Sequence, residues 1–466
     1  MSNMPLEDFC GRFNVITKST HRLGLVLPVV GFICCLPLAA LAQGKMFVKR
    51  TMLSNGLVVL ALEDHTVPSV AFYTYYRVGS RNERPGITGL SHLFEHMMFN
   101  GSAKYKPKQF DQLIEGGGGY SNAFTNYDST EYQEEFSSAT LDTVLRLEAD
   151  RMRSLKLDSA NLEQERGIVK EERRMRVDNS IEGAMAEILG NNAFVAHSYR
   201  WDVVGFMKDL DAIRLSDAQA YFKTYYAPNN AVVCVVGDFD TETLFGSMHK
   251  YFEDIPRSAP ARPVVNAEPG QTGEKRILFH HAADLPAVTI GYKGISYRWP
   301  EEPAMNILAA ILASGESSRL YKRMVYEKRI ATSVSASNDS RYDPGLFTFY
   351  AQVQPGHNTA ECEAEIYSLI AEVQKSGVSE RELQKAKNGI KVGFVSQFKT
   401  NIGRAGQISE HEATRGDWNK LYDYIPKHDR VTAEDVKRVA GKFLIENHRT
   451  VVTLVPEKPA TTGGAK

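Results

Sequence analysis

His92-Leu93-Phe94-Glu95-His96 is the segment of this chain best equipped to do chemistry. Two histidines four apart share one face of a helix, so both imidazoles can reach a single ion. Glu95 follows His92 by three residues and adjoins His96, which turns its carboxylate to the same place. Two neutral imidazoles beside a carboxylate suit a catalytic zinc: the nitrogens bind, and a carboxylate is left over to accept a proton from water. An ordinary surface pair of histidines is the competing reading. It fits poorly with Leu90, Leu93, Phe94, Met97, Met98 and Phe99 around them, because buried imidazoles need polar partners. Gly89 and Ser91 stand where the helix would open.

Zinc asks for a third protein ligand. The order HxxEH inverts the commoner HExxH, and the stretch 161–176 reads as a helix carrying Glu163, Glu165, Glu171 and Glu172. Glu165 and Glu172 are seven apart, about two turns, and share a face. One can ligate while the other accepts the remaining ring N–H of a ligand histidine and fixes its tautomer. The residues alone leave open which does which. Without the histidines, the same stretch would read as a solvated acidic face paired with Arg166, Arg173 and Arg174.

Elements that could hold such a constellation emerge when the chain is compared with itself. LEQERGIVKEERR, from Leu162, corresponds to LQKAKNGIKVGFV, from Leu383, 221 residues on. LSDAQAYFKTYYAPNNAVVCVVGDF, from Leu215, corresponds to VTAEDVKRVAGKFLIENHRTVVTLVPE, from Val431, 216 residues on. In both of the latter a Ser/Thr cap opens a short amphipathic helix and an apolar strand closes the unit. VVLALEDHTVPSVAFYTYYRVGSR likewise matches KRILFHHAADLPAVTIGYKGISYR. Three matches in one order at nearly constant offset indicate a duplication. The expected fold class is α+β: two homologous αβ lobes, each a mainly antiparallel sheet covered by helices on one face, as FYTYYRV and LFTFYAQV suggest. The expected boundaries are 43–255 for the first lobe, 256–274 for a stiff linker beginning Pro256-Arg257-Ser258-Ala259-Pro260, 275–457 for the second lobe, and 458–466 for a flexible tail.

A leader is expected over 1–42. Arg12, Lys18 and Arg22 precede the uncharged run 23–41, which ends Ala40-Leu41-Ala42 before Gln43, a small-x-small cleavage pattern. A retained membrane anchor is the alternative; either way the remainder is exported, to the periplasm. With 466 residues, 43% hydrophobic and 24% charged, the chain is neither disordered nor a multi-span membrane protein, and it exceeds a single core. Lys+Arg 55 against Asp+Glu 56 leaves no global field to attract nucleic acid. Beyond the leader's Cys10, Cys34 and Cys35 only Cys234 and Cys362 remain, so no disulfide framework or cysteine metal site is implied. Cys234, inside AVVCVVG, reads as a buried strand residue.

LSNGLVVLALED, VGSRNERPGITGLSHLFEHMMFNGSAKY, GGGGYSNAFTNYDSTEY, ERGIVKEE and SGESSRLYKRMVYEKRIATSVSA together resemble the pitrilysin-like M16 metallopeptidases. The resemblance is to the half-length group that includes mitochondrial processing peptidase β-subunits and bacterial paired periplasmic peptidases. It implies one Zn2+ per chain on His92, His96 and the glutamate 76 residues after His96, which is Glu172. Glu95 would be the general base, and Glu165 the helper glutamate. It also implies a metallohydrolase fold of two homologous lobes, with two chains closing as a clam shell around a chamber. The glycines at 116–119 are not followed by the Lys-Ser/Thr of a phosphate loop; they read as a turn exposing an edge strand to which an extended peptide can pair. In the family, the Asn-Ala pair of this strand holds the peptide, here Asn122 and Ala123, with Phe124 next. Family members often carry an Arg and a Tyr in the second lobe to steady the oxyanion; Tyr326 and Thr332 stand in those places. The resemblance therefore implies a zinc metalloendopeptidase completed by a homologous metal-free subunit, with a homodimer as runner-up. A non-catalytic assembly or peptide-binding subunit is the other class, and an intact HxxEH argues against it.

Overall fold

The computed structural model describes residues 45–265 and 267–457; the expected leader, with Cys10, Cys34 and Cys35, and the expected tail lie outside the described residues. Among the described residues the strands form two sheets. The first holds β1 (Lys49–Met52), β2 (Val58–Glu63), β3 (Ser69–Tyr76), β4 (Tyr120–Thr125), β5 (Thr130–Ser137) and β6 (Ala231–Gly237), in the order β1-β2-β6-β3-β5-β4. The second holds β7 (Lys275–Ala282), β8 (Ala287–Lys293), β9 (Ala331–Asp339), β10 (Leu346–Val353) and β11 (Arg449–Glu457), in the order β7-β11-β8-β10-β9. Without β1 the two orders are the same. Each sheet has one parallel pair, β2 with β6 and β7 with β11, and is otherwise antiparallel. The repeated sequence is thus a repeated topology. Residues 256–265 and 267–274, between the sheets, carry no helix or strand.

The helices that matter to the site are α1 (Leu90–Met97), α2 (Ser159–Arg173), α3 (Ile181–Ala193), α4 (Leu215–Tyr225), α5 (Glu302–Ala313), α6 (Glu380–Ser396), α7 (Asn401–Arg415) and α8 (Ala433–Phe443). On one face of the first sheet, Val59, Ala61, Val70, Phe72, Val233 and Val235 join Leu93, Phe94 and Met97 of α1 in a core. Helix α5 stands in the matching place against the second sheet, where Met305, Ile307, Leu308 and Leu312 pack with Val288, Ile290, Phe347 and Phe349.

Helices on one face only, as the alternation of the opening strands suggested, is not what the chain builds. The central strands β3 and β6 are buried along nearly their whole length, because a run such as AVVCVVG has no polar face to offer water. Their second face is covered from the far half of the chain. Ala405, Ile408 and Ser409 of α7 are fully buried there, and a Cβ on Gly406 would stand 3.4 Å from the Tyr73 ring. The reciprocal helix is α3: Met185, Leu189 and Ala193 pack on Ala287, Leu346, Val452 and Leu454 of the second sheet. A Cβ on Gly291 would meet Leu189 at 3.0 Å, so a larger residue there would push α3 off the sheet. The two halves have exchanged equivalent helices. Polar ties follow the exchange: Asn401 Nδ2 donates to Ser69 Oγ (3.2 Å), Arg50 Nε to Glu412 Oε1 (2.9 Å) and Arg404 Nη1 to Asp64 Oδ2 (2.7 Å).

Of the two expected caps, Thr432 opens α8 with Asp435 closing a capping box. In the first half the cap position belongs to Arg214 instead. Ser216 lies inside the first turn of α4, and Asp217 accepts the Arg214 N–H at 3.0 Å. Cys234 and Cys362 are both fully buried, free thiols.

Candidate metal centre

Helix α1 begins where its sequence allows a tight entry and nowhere else. Gly89 has φ +87°, and a Cβ on it would lie 2.5 Å from the Val204 carbonyl oxygen, so only glycine fits. Instead of a side-chain cap from Gly89 or Ser91, the buried carboxylate of Glu83 accepts the Gly89 N–H (2.9 Å) and the Ser91 N–H (2.7 Å). These amides favour its anion, yet burial outweighs them and pushes the Glu83 carboxyl up to about 8. Asp209 fastens the preceding turn by accepting from Thr88 Oγ1 (2.8 Å) and the Gly86 N–H (3.0 Å).

Asp158 caps α2, taking the Asn161 N–H at 2.9 Å. The helix therefore starts two residues before the expected 161–176 stretch, and at Arg174 it passes into a π-helical turn, Arg174–Asp178. Its glutamates divide by face. Glu163 pairs outward with Arg166 at 3.1 Å, and Glu171 pairs outward with Arg174. That is the solvated acidic face. Glu165 and Glu172 turn inward toward α1. Glu172 Oε2 lies 3.4 Å from His92 Nε2 and 3.2 Å from His96 Nε2, while Glu165 Oε2 lies 3.5 Å from His96 Nδ1. Of the two glutamates left open by the seven-residue spacing, Glu172 shares a locus with both histidines, and Glu165 sits behind one of them.

One donor atom from each of His92, His96 and Glu172 lies within 4.8 Å of the others. At zinc–ligand lengths of about 2.0–2.1 Å, neighbouring donors of a tetrahedron stand about 3.3 Å apart. The 3.4 and 3.2 Å separations match that edge, and a set of two imidazole nitrogens with one carboxylate oxygen suits zinc. Burial, with His96 and Arg176 acting in the same direction and Glu172 against, brings His92 down to about 4 and keeps its ring neutral. His96 is also disfavoured as a cation by burial, but Glu165 and Glu172 outweigh this and raise it to about 9. Burial raises the Glu95 carboxyl above its ordinary value, with the Thr125 hydroxyl and His96 opposing. A carboxylate made more basic in this way is a better proton acceptor.

The edge strand β4 runs past α1. Among the described residues it pairs with β5 alone, which leaves its other backbone edge unpaired there. Asn122 is exposed, Ala123 is half-buried against the core, and Phe124 is 40% exposed. The preceding glycines fit a close approach: a Cβ on Gly119 would lie 2.5 Å from the Glu135 carbonyl oxygen, and Gly118 has φ +74°. In the second half, the positions aligned with Glu165 and Glu172 are Ala386 and Gly393 on α6. Tyr326 is 73% exposed on a π-helical turn, Tyr321–Glu327, and Thr332 is exposed on the edge strand β9. Two residues that build the entry to α1 were not expected from the sequence: Glu83 and Asp209. Glu83 lies within VGSRNERPGITGLSHLFEHMMFNGSAKY, beside the glycine-rich turn 86–89, whereas Asp209, 120 residues beyond Gly89, carried no local signal.

A family profile described as "Insulinase (Peptidase family M16)" matches residues 58–201, and one described as "Peptidase M16 inactive domain" matches residues 212–390. "Zinc protease PqqE" of Helicobacter pylori is 32% identical over 409 residues, covering 87% of this chain and 92% of that protein. The crystal structure of a protease from Helicobacter pylori superposes with a TM-score of 0.84 at 32% identity, covering 89% of this chain and 100% of that one. The periplasmic protease PqqL from Escherichia coli has the same fold, with a TM-score of 0.72 at 16% identity over 88% of this chain but only 48% of that one. Matched in order across both halves, and sharing 32% of aligned residues with a zinc protease over nearly its full length, the chain belongs to peptidase family M16.

Proposed function

We propose that the chain is the catalytic subunit of a zinc endopeptidase that cleaves peptides or unfolded segments inside a chamber formed by two chains. The observation that carries this reading is the meeting of His92, His96 and Glu172 within 4.8 Å, with Glu95 on the same helix and Glu165 behind His96. His92, His96 and Glu172 would hold one zinc ion. Zinc supplies Lewis-acid polarisation of water and of the scissile carbonyl. Glu95 accepts the proton of the attacking water on its carboxylate and delivers it to the leaving amine nitrogen. Glu165 accepts the His96 Nδ1–H and so fixes which nitrogen faces the ion. The free edge of β4, with Asn122, Ala123 and Phe124, takes the substrate backbone by strand addition, which reads extended conformation first and side chains second.

Two features support a second, homologous, metal-free chain as partner. Tyr326 and Thr332 occupy the places where the family resemblance leads one to expect Arg and Tyr, and the match covers only 48% of the PqqL chain, whose length leaves room for a second unit of this size. We place the protein in the periplasm, with cleavage after Ala42. Among the described residues no helix is long and apolar enough to cross a membrane. N-terminal mass spectrometry from an exporting cell is expected to give Gln43 as first residue; full-length protein in the membrane fraction would show that 23–41 is an anchor.

The activity itself is tested with an unstructured, internally quenched peptide. Cleavage is expected to stop with a chelator and return with added zinc. Binding of the peptide without cleavage, with zinc present and a partner supplied, would move the chain to the peptide-binding class.

A further inference from the structure

We infer that Arg176 is a positioning residue for the metal ligand Glu172, and that its hold depends on Gly183 packing behind it. The inference rests on the zinc site proposed above. Glu172 divides its two oxygens: Oε2 faces both imidazoles, at 3.4 and 3.2 Å, whereas Oε1 forms an ion pair with Arg176 Nη2 at 2.7 Å. A carboxylate tied this way is held with one oxygen toward the ion and its rotation to offer both is disfavoured. The other arginines of this turn are occupied elsewhere. Arg173 binds Glu187 (2.8 Å) and the Gly205 carbonyl (2.6 Å), and Arg174 binds Glu171.

Arg176 sits in the π-helical turn Arg174–Asp178, which directly follows the ligand helix. Such turns often mark functional sites, because the extra residue re-aims what comes after it. Here the turn leads into α3, whose first turn closes on it. Ser180 Oγ accepts the Gly183 N–H at 3.1 Å, and a Cβ on Gly183 would lie 1.9 Å from the Arg176 carbonyl oxygen and 3.1 Å from Val177 Cα. Gly183 therefore lets α3 press against the backbone of Arg176. Because α3 is seated on the second sheet through Leu189, a continuous line of contacts runs from that sheet through Gly183 and Arg176 to Glu172.

Two effects of Arg176 on an ion oppose each other. Its charge repels a dication, and its ion pair with Oε1 orients the ligand. The side chain is 64% exposed, so water and salt screen the repulsion. The ion pair acts at 2.7 Å, whereas the repulsion acts from the far side of the carboxylate, and partners that orient metal ligands typically matter about 10–100-fold in affinity. Orientation is the larger effect.

The test is zinc affinity of the full chain, measured by competition with a chromophoric chelator. Arg176→Gln is expected to weaken zinc binding about 10–100-fold and to change the visible spectrum of the cobalt-substituted protein. Arg176→Lys, which keeps a cationic donor four residues from Glu172, is expected to recover most of the affinity. The melting temperature of the metal-free protein should be the same for parent and Arg176→Gln, since the side chain is largely exposed. Gly183→Ala, which touches no ligand, is expected to weaken zinc binding in the same sense. Unchanged or tighter binding by Arg176→Gln would overturn the inference, because repulsion would then outweigh orientation. A folded Gly183→Ala protein with parental affinity would overturn its second half. A parent chain that binds no zinc would instead refute the metal site on which both rest.

Discussion

Glu95→Gln is expected to keep its zinc and to lose turnover by about 10²–10⁴-fold, whereas Glu172→Gln is expected to lose the zinc itself. The two substitutions are chemically identical and differ only in place. At Glu95 the carboxamide has the shape of the carboxylate, so the packing of α1 through Leu93, Phe94 and Met97 stays intact. What goes is the ability to accept a proton, at a group that burial has already made more basic than usual. At Glu172 the change removes the anionic oxygen that lies within 3.4 Å of both ligand nitrogens. Metal content of both purified proteins after gel filtration, together with cleavage of the quenched peptide, decides the matter. Equal zinc loss in the two variants would overturn this division of roles.

Purified alone, the chain is expected to bind zinc and peptide yet hydrolyse slowly. Addition of a homologous subunit carrying the Arg and Tyr is expected to raise turnover steeply, saturating at one to one. Each missing oxyanion donor typically costs about 10²–10³ in turnover. Three arginines of this chain were candidates to fill the gap: Arg319, Arg323 and Arg329. Two of them are already committed. Arg319 is bidentate on Glu382, at 2.7 and 2.9 Å, and Arg323 spans Glu365 and Glu372, at 3.0 and 2.7 Å. Freeing either would break a charge-assisted pair. Activity titrated against increasing partner is the measurement. Full activity without any partner would favour a homodimer and return the search for the donor to this chain.

How much was legible in the sequence depends on whether a property is local. The HxxEH spacing works because helical geometry puts residues four apart on one face, and the same arithmetic put Glu165 and Glu172 on one side of α2. The repeat was legible because equal topology preserves the order of apolar strands and polar turns. What could not be read was set by segments far apart in the chain. Glu83 caps α1 across a loop, and its place beside the turn 86–89 does not announce that it is buried under the helix. Arg176 looked like one more cation on a basic stretch, since its effect depends on a π-helical turn that no periodicity announces. The exchange of α3 and α7 was the largest omission. A continuous apolar strand such as AVVCVVG states that both of its faces are covered, but not by what.

That exchange sets an order of events for the nascent chain. The faces of Tyr73 and Cys234 stay bare until residues 401–415 arrive, over 300 positions after the first and over 160 after the second, so the first sheet cannot be finished until synthesis is nearly complete. Contacts between partners so distant in sequence form slowly, since a long loop must be closed before any of them is gained. Until then the N-terminal half is an incomplete sandwich with an apolar surface that holdase chaperones would recognise. Traded helices of this kind are also what remains when two subunits of a domain-swapped dimer become fused end to end. In that light the molecule is two ancestral copies still clasped, with the clasp now covalent.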